Sequence, residues 1–246
     1  MEPVPSPAEG RVPSHVEGVV RIVAAGDAAL VVEMPARIDP AINARLVAMA
    51  DALRARCGSA VQDAVVGYCT LTIYFDPFQV DPRWLEAEVL AVSRETEGAP
   101  AAEGALVEIP VCYGGELGPD LDEVADRIGC SPAEVIELHA ALEYRVYVVG
   151  FVPGFAYMAS VDDRLALPRR STPRTKVPAG SVAIAAGQTG IYPMETPGGW
   201  HLIGRTTVRP FDESRLEPVL FRAGDRVTFR RIGRDEFDES GGGWVR

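Results

Sequence analysis

The sequence has few of the residues that usually build metal sites or disulfide frameworks. None of the four cysteines forms a C-x-x-C pair, which excludes the common zinc and disulfide patterns. They are Cys57, Cys69, Cys112 and Cys130. We expect free, mostly buried thiols, because cysteine behaves as a small hydrophobic residue. The three histidines, at positions 15, 139 and 201, are too scattered for a metal site, and none is expected.

Basic residues are outnumbered by acidic ones, which limits the partners of the chain. The formal net charge is -11, whereas nucleic-acid binders and proteins that dock on anionic lipid usually present a basic face. No apolar run is long enough to span a bilayer. The first eighteen residues contain no apolar core of a signal peptide. We therefore expect a cytoplasmic protein that binds neither nucleic acid nor membrane.

The usual signatures of self-sufficient enzymes are also missing. The sequence contains no G-x-G-x-x-G fingerprint, no G-x-x-x-x-G-K-S/T loop and no G-x-S-x-G elbow. No cysteine has a convincing histidine partner. The chain is therefore expected to contribute part of a site rather than a complete one.

What is present in the first half alternates between strand and helix patterns. Val19 to Glu33 reads as a hairpin around Gly26. The pairs Asp39-Pro40 and Asp81-Pro82 are typical of helix starts, with an N-cap followed by a first-turn proline. Apolar residues at helical spacing follow each start. The apolar residues of the first helix are Ile42, Leu46, Met49 and Leu53. The second helix is predicted to face inward with Trp84, Leu85, Val89 and Val92. With an alternating strand at Thr70 to Phe75, this predicts an α+β domain over 17–96.

The second half is organised differently. A Gly-, Ala- and Glu-rich linker is predicted at 97–105. Beyond it come a strand at 107–111, helices at 121–128 and 132–142, and a strand at 144–149. From Gly150 to Gly204, glycine and proline recur every few residues between short strand-like pieces, and another strand follows at 226–232. This pattern predicts a β-barrel domain over 105–234.

One segment within this region favours a ligand site. It runs from Gly150-Phe-Val-Pro-Gly-Phe155 through Thr172-Pro-Arg-Thr-Lys-Val-Pro-Ala-Gly-Ser181 to Thr196-Pro-Gly-Gly-Trp200 and Arg205. Glycine lets backbone amides approach a ligand, proline rigidifies loops, and arginine binds carboxylate or phosphate. Rigid barrel turns with solvated arginines are the alternative interpretation.

Lys176 strengthens this prediction. It is the single lysine among 24 basic residues, and it lies in the centre of the segment. Its compact ammonium can neutralise a phosphate or a developing oxyanion as a point charge. Chance placement is the alternative.

At these residues the sequence closely resembles the 5-oxoprolinase B-subunit family, also called kinase-A inhibitor, allophanate hydrolase subunit 1 or carboxyltransferase domain family. The matching strings include Val111-Cys-Tyr-Gly-Gly-Glu, Gly150-Phe-Val-Pro-Gly-Phe155, Thr172-Pro-Arg-Thr-Lys-Val-Pro-Ala-Gly-Ser181 and Gln188-Thr-Gly-Ile-Tyr-Pro193. The resemblance runs from about Val19 to Ile232.

The resemblance implies a small N-terminal α+β domain and a cyclophilin-like β-barrel domain. It implies two partners of 5-oxoprolinase, the C-type subunit, which is a related barrel protein, and the A-type subunit. Together they would convert 5-oxo-L-proline, ATP and water to L-glutamate, ADP and phosphate. ATP would be a co-substrate, with Mg²⁺, and no cofactor would be permanently bound. The B-type and C-type subunits would activate the lactam by phosphorylation, so the chain would be inactive alone.

The roles expected of individual residues follow from this chemistry. Lys176 and Arg174 are the candidate catalytic residues. The candidate substrate-binding residues supply anion-holding arginines, amide-binding polar groups, aromatic walls and close backbone approach. They are Phe151, Pro153, Gly154, Phe155, Arg169, Arg170, Gln188, Thr189, Tyr192, Gly198, Gly199 and Trp200. His201 is a candidate proton carrier or a packed histidine.

Other functions stay open at this point. A relative of the family inhibits a sporulation sensor kinase, a binding role that needs no catalytic lysine. An allophanate or urea route would use the same modules on another amide. A prolyl isomerase is suggested by the barrel alone, and fold alone does not establish function.

Overall fold

The structure is a computed structural model, and it describes residues 16–17, 20–98 and 104–241. The chain divides into two compact units, residues 1–101 and 102–246, each of which is described separately. Their composition confirms the α+β class, with an N-terminal α+β unit followed by a barrel unit. His15 and most of the predicted linker at 97–105 lie outside the described residues.

The described part of the N-terminal unit contains an antiparallel five-stranded sheet, two α-helices and a short 3-10 helix, Gly58–Ala60. The strands are β1 (Val16–Glu17), β2 (Val20–Ala24), β3 (Ala29–Glu33), β4 (Asp63–Val66) and β5 (Thr70–Tyr74), in the order β1-β2-β3-β5-β4. Helix α1 spans Pro40–Cys57 and α2 spans Pro82–Glu95. Both begin as predicted, because the Asp39 and Asp81 carboxylates accept first-turn amides and proline follows each.

The buried face of α1 matches its prediction, since Ile42, Leu46, Met49 and Leu53 all lie in the core. One prediction for α2 is wrong. Trp84 is 43% exposed, whereas Leu85 is fully buried. The two positions are adjacent and therefore point about 100° apart around a helix, and Leu85 is the one that lies on the buried face. Strand β4 was not predicted.

The C-terminal unit is built around a closed barrel of seven strands in the order β10-β11-β8-β7-β14-β6-β13. These strands are β6 (Leu106–Tyr113), β7 (Glu143–Val149), β8 (Ala156–Ala159), β10 (Ser181–Ala185), β11 (Gln188–Ile191), β13 (His201–Arg205) and β14 (Arg226–Arg231). A separate two-stranded sheet, called the ribbon below, pairs β9 (Arg174–Val177) with β12 (Thr196–Gly198). The predicted barrel is thus confirmed.

Three α-helices accompany the barrel in the residues that the structure describes. They are α3 (Leu121–Ile128), α4 (Pro132–Ala140) and α5 (Arg234–Glu239). Helix α4 begins with a capping box between Ser131 and Glu134 and ends two residues before the predicted Leu142. Helix α5 was not predicted.

The barrel wall separates two apolar clusters. Val182 and Ile184 of β10 belong to the main core, whereas Ala183 and Ala185 belong to a smaller cluster with Phe155, Val177 and Trp200. Because successive strand residues point to opposite faces, the first pair faces into the barrel and the second faces outward, toward the ribbon residue Val177.

All four cysteines are free, as expected, but only Cys112 is buried. The other three are half-buried, so the expectation of mostly buried thiols is wrong. No helix in the described part of the chain is both long and apolar enough to cross a membrane.

Candidate functional site

A small pocket lies against the outer cluster of the barrel. It encloses about 80 Å³, well below the roughly 300–1,000 Å³ of sites for drug-sized ligands. Seven of the predicted substrate-binding residues line it, together with Tyr157 and Pro197. The seven are Phe151, Phe155, Arg169, Tyr192, Gly198, Gly199 and Trp200. Residues from four separate stretches of sequence therefore converge on one small space.

The turn between β7 and β8 supplies one rim of the pocket. Gly150 N–H donates to Phe155 O at 2.9 Å, and Phe155 N–H donates to Val152 O at 3.1 Å, which closes the turn. Phe151 is 64% exposed and has a φ of 73°. The pocket thus has an open aromatic edge on this side.

Two predicted residues of this turn lie outside the pocket. Pro153 is exposed at the turn. Gly154 has a φ of 81°, and a Cβ there would lie 2.8 Å from Phe211 Cβ and 2.9 Å from Pro210 O. The close approach of these neighbours, and not contact with the pocket, explains why glycine is needed at position 154.

Aromatic rings form the walls. Phe155 is at the centre, with T-shaped contacts to Tyr192 at 5.2 Å and Trp200 at 5.6 Å between ring centroids. Tyr157 packs against the same ring at 4.7 Å. Because Phe155, Tyr192 and Trp200 are almost fully buried, the walls are fixed before any ligand arrives.

Tyr192 contributes a buried polar group. Burial raises the pKa of Tyr192 to about 12, although the Trp200 amide donates a hydrogen bond to it and Arg169 lies near. The phenol is therefore protonated at neutral pH and keeps its own hydrogen to donate. Gly198 leaves room for this hydroxyl, because a Cβ at 198 would collide with it.

Arg169 supplies positive charge to the pocket. Its side chain is exposed, and it makes no ion pair with any residue that the structure describes. Burial raises the pKa of Tyr157, and the Arg169 charge acts against that shift. An unpaired guanidinium beside aromatic walls is a suitable anchor for an anionic group.

The other two predicted arginines are occupied by a buried carboxylate. Arg174 binds Asp120 through two nitrogens, at 2.8 and 2.6 Å, and Arg170 binds the same carboxylate at 3.0 Å. The Leu202 amide also donates to Asp120, at 2.7 Å. Burial alone would raise the pKa of Asp120, but the bonds from Arg174 and Leu202 and the two nearby charges hold it below its usual value.

These bonds support the pocket wall. The backbone N–H of Arg170 donates to the backbone oxygen of Gly199 at 2.8 Å. Arg169, which lines the pocket, is the residue directly before Arg170. Asp120 thus fixes the segment that carries Arg169 and the strand region that carries Gly199. Arg170 and Arg174 stabilise the site rather than line it.

Lys176 lies on the exposed ribbon. Its ammonium is 3.1 Å from the Glu195 carboxylate, and its side chain is 76% exposed. It does not line the pocket. Gln188, at the start of β11, also lies outside the pocket.

Thr189 is fully buried in the barrel core instead. Its Oγ1 lies 2.8 Å from His139 Nε2, and its hydroxyl donates to Ala183 O at 3.1 Å. Tyr113 Oη lies 2.8 Å from the other ring nitrogen of His139. The position is closed to a substrate, because the side chain is 0% exposed.

His201 is likewise buried and donates from Nε2 to the Pro168 carbonyl at 3.0 Å. Of its two interpretations, the geometry favours the packed histidine. The contact anchors the residue before Arg169.

Sequence reasoning missed Asp120, Tyr157 and Pro197. Pro197 lies inside the quoted string Thr196-Pro-Gly-Gly-Trp200 but was not chosen as a site residue, whereas Tyr157 lies two residues beyond the string that ends at Phe155. Asp120 gave no local signal, because its partners Arg170 and Arg174 are 50 and 54 residues away.

Comparison with known proteins adds a family. The family described as carboxyltransferase domain, subdomain C and D, matches residues 20–221. The B subunit of 5-oxoprolinase from Bacillus subtilis (strain 168) is 40% identical over 222 residues, covering 86% of this chain and 92% of that protein. A putative urea carboxylase of Emericella nidulans is 26% identical over 136 residues, covering 51% of this chain and 11% of that protein.

A solved structure is similar to most of the chain. The crystal structure of TTHA0988 matches with a TM-score of 0.72 and 40% identity, covering 83% of this chain. The present chain spans 40% of the length of TTHA0988.

Proposed function

Since the chain belongs to the 5-oxoprolinase B-subunit family, a group of carboxyltransferase domains, we propose that it is one component of an ATP-dependent 5-oxoprolinase. The observation that carries the proposal is the aromatic pocket with the unpaired guanidinium of Arg169. Its chemistry matches a small ring that bears a carboxylate and an amide.

The pocket contains a complementary group for each part of 5-oxo-L-proline. The substrate carboxylate binds Arg169, and the flat face of the lactam ring packs on Phe155 and Trp200. Tyr192 donates its hydroxyl hydrogen to the lactam oxygen. Such a bond draws electron density toward that oxygen, which is the atom to be phosphorylated.

Phosphorylation makes the amide reactive. The lactam oxygen attacks the γ-phosphorus of ATP, and the bond from that phosphorus to the bridging oxygen of ADP breaks. Water then adds to the activated carbon, and the ring C–N bond breaks as the nitrogen takes up a proton, which leaves glutamate as an acyl phosphate. A second water attacks this acyl phosphate and releases L-glutamate and phosphate. The proposed partners are the C-type subunit, which joins this chain in activation, and the A-type subunit, which carries the hydrolysis.

The nucleotide binds outside this pocket, because about 80 Å³ is far below the several hundred Å³ of larger ligand sites. Within the described residues no cluster of three His, Cys, Asp or Glu side chains is arranged to hold a metal ion. Mg²⁺ would therefore arrive on the phosphates, as it commonly does. Lys176, exposed on the ribbon, is proposed to meet those phosphates at the contact with the C-type subunit.

A second candidate is a component of an enzyme that carboxylates or hydrolyses another amide, such as urea. The carboxyltransferase family description and the likeness to a putative urea carboxylase favour it. The two candidates differ in the amide that drives ATP turnover.

The proposal is tested by measuring glutamate release from 5-oxoproline and ATP. The chain is assayed alone and then mixed with its C-type and A-type partner subunits. We expect activity in the mixture only. A mixture that assembles, as judged by size-exclusion chromatography, yet turns over ATP with urea and not with 5-oxoproline, would support the second candidate.

A further inference from the structure

Two polar groups without partners lie side by side on the barrel wall. Ser181 of β10 faces Arg205 of β13 in the antiparallel register, and Arg205 in turn faces Cys112 of β6. Residues directly opposite each other on neighbouring strands project from the same face of the sheet. Ser181 and Arg205 are therefore neighbours on one face.

That face is the outer one. Val182 points into the main core of the barrel, and Ala183 belongs to the outer cluster. Ser181 shares the face of Ala183, since residues two apart on a strand point the same way. The Tyr192 amide donates to Ser181 O at 2.9 Å, so the Arg205 backbone is about two strand spacings, roughly 10 Å, from a pocket residue.

Arg205 carries an uncompensated charge. Its side chain makes no hydrogen bond or ion pair within the described part of the chain, in contrast to those of Arg170 and Arg174. Its Nε is buried without a partner, and its side chain is only partly exposed. Burial of this side chain lowers the pKa of Arg205.

Ser181 adds a second unsatisfied group. Its side chain is fully buried, and its Oγ has no hydrogen-bond partner among the described residues. Buried polar groups in native proteins are nearly always hydrogen-bonded, and an unpaired charge is more costly still. Two such groups on adjacent strands indicate that a partner beyond the described residues completes them.

We propose that Arg205, flanked by Ser181, is a binding site for an oxyanion, either a carboxylate or a phosphate. The Arg205 side chain is half-buried, and its guanidinium presents N–H donors to the anion as a planar fork. The Ser181 hydroxyl is a further donor once the anion is bound. This site is separate from the Arg169 pocket and does not depend on the proposed function.

The test measures anion binding to the full chain without substrate or partner. Calorimetric titrations with phosphate and with acetate, at constant ionic strength set with potassium chloride, should show saturable binding of at least one. Arg205→Met should weaken it tenfold or more, and Ser181→Ala should weaken it by a smaller factor. Stronger binding of phosphate indicates a phosphate-bearing ligand, and stronger binding of acetate indicates a carboxylate.

Two controls separate this site from others. Arg222 belongs to the same unit, and its side chain is 71% exposed. Arg222→Met should leave the affinity for phosphate and acetate unchanged. Arg169→Met removes the pocket cation and should also leave the Arg205 component unchanged, whatever the 5-oxoprolinase assay shows.

Thermal unfolding supplies an independent readout. Without anion, Arg205→Met should keep or raise the midpoint temperature, because an unpaired charge is removed. It should lose the rise that the anion produces in the unsubstituted chain. Absence of saturable binding, or equal binding by Arg205→Met, would overturn the proposal.

Discussion

His139 shows how the barrel core holds an ionisable residue in a single state. The Thr189 hydroxyl uses its one hydrogen on the Ala183 carbonyl, so its oxygen must accept from His139 Nε2–H. The opposite nitrogen is then bare and accepts from the Tyr113 hydroxyl. The ring is therefore neutral, with its hydrogen on Nε2.

The state of His139 predicts how stability depends on pH. Burial lowers the pKa of His139 from 6.5 to about 3. Between these values the unfolded chain binds a proton that the folded chain does not. The free energy of unfolding should therefore fall as pH drops from about 6.5 toward 3, by up to about 1.4 kcal/mol per pH unit for this residue.

Urea unfolding of the unsubstituted chain and of His139→Gln, measured at several pH values, checks this expectation. In the variant, the free energy of unfolding should fall less steeply between pH 6.5 and 4.5. Gln keeps hydrogen-bonding groups but does not titrate in this range. Identical slopes would mean that His139 is protonated in the folded state.

Arg169 gives a prediction for binding. Since it has no ion-pair partner among the described residues, Arg169→Met should leave thermal stability unchanged. If it anchors the substrate carboxylate, the KM for 5-oxoproline in the assembled enzyme should rise at least tenfold, from the loss of about 1.5–3 kcal/mol of a charged hydrogen bond. Arg164→Met is the control, because Arg164 pairs with Asp162 away from the pocket. An unchanged KM would mean that a group other than Arg169 binds the carboxylate of 5-oxoproline.

At the scale of elements, Asp120 joins the N-terminus of α3 to β9, β13 and the segment before the ribbon. Asp120→Asn should cost about 3–5 kcal/mol of unfolding free energy, because it removes the buried carboxylate that pairs with two half-buried arginines. Glu123→Gln, which alters a half-exposed partner of Arg170, should cost under about 1 kcal/mol. Denaturant unfolding compares them, and equal losses would show that Asp120 is no more important than a surface carboxylate.

The ribbon carries the prediction for Lys176. Lys176→Met should abolish most ATP turnover in the assembled enzyme while leaving folding intact, because its ion pair with Glu195 is exposed. Glu195→Gln removes the same ion pair but keeps the ammonium, so turnover should persist. Comparable activity of Lys176→Met and the unsubstituted chain would remove Lys176 from the reaction.

Elements with local signals could be predicted from the sequence. The cap-plus-proline pairs at Asp39, Asp81 and Ser131 each begin a helix, since the side chain and its amide partners are within three residues. Trp84 was misplaced because an apolar residue beside Leu85 fits the helical pattern almost as well. Strand β4 is short and half exposed, so its pattern is weak.

At the scale of the whole molecule, the pocket was partly predictable. Glycine, proline and aromatic strings identified most of its lining, because those residues are unusual in a core. The sequence did not separate Arg169, which reaches the pocket, from Arg170 and Arg174, which bind Asp120. That distinction depends on contacts across 50 or more residues, which no local pattern encodes.

Each unit has its own apolar core, and we therefore expect the second unit, residues 102–246, to fold independently. A fragment of residues 102–246 should unfold cooperatively and keep the near-ultraviolet signal of its clustered aromatic rings. Circular dichroism on heating measures this, with the full chain as control. A fragment without a cooperative transition would show that residues 1–101 are required.

The turn at Phe151 has a consequence for how this protein can be stabilised. A bulky residue at positive φ costs on the order of 1–3 kcal/mol, whereas glycine adopts the same backbone without strain. The Phe151 ring is mostly exposed, so its packing within the chain offsets little of this strain. Selection for heat resistance alone should therefore favour glycine at this position, and the molecule would lose the aromatic edge of its pocket in exchange.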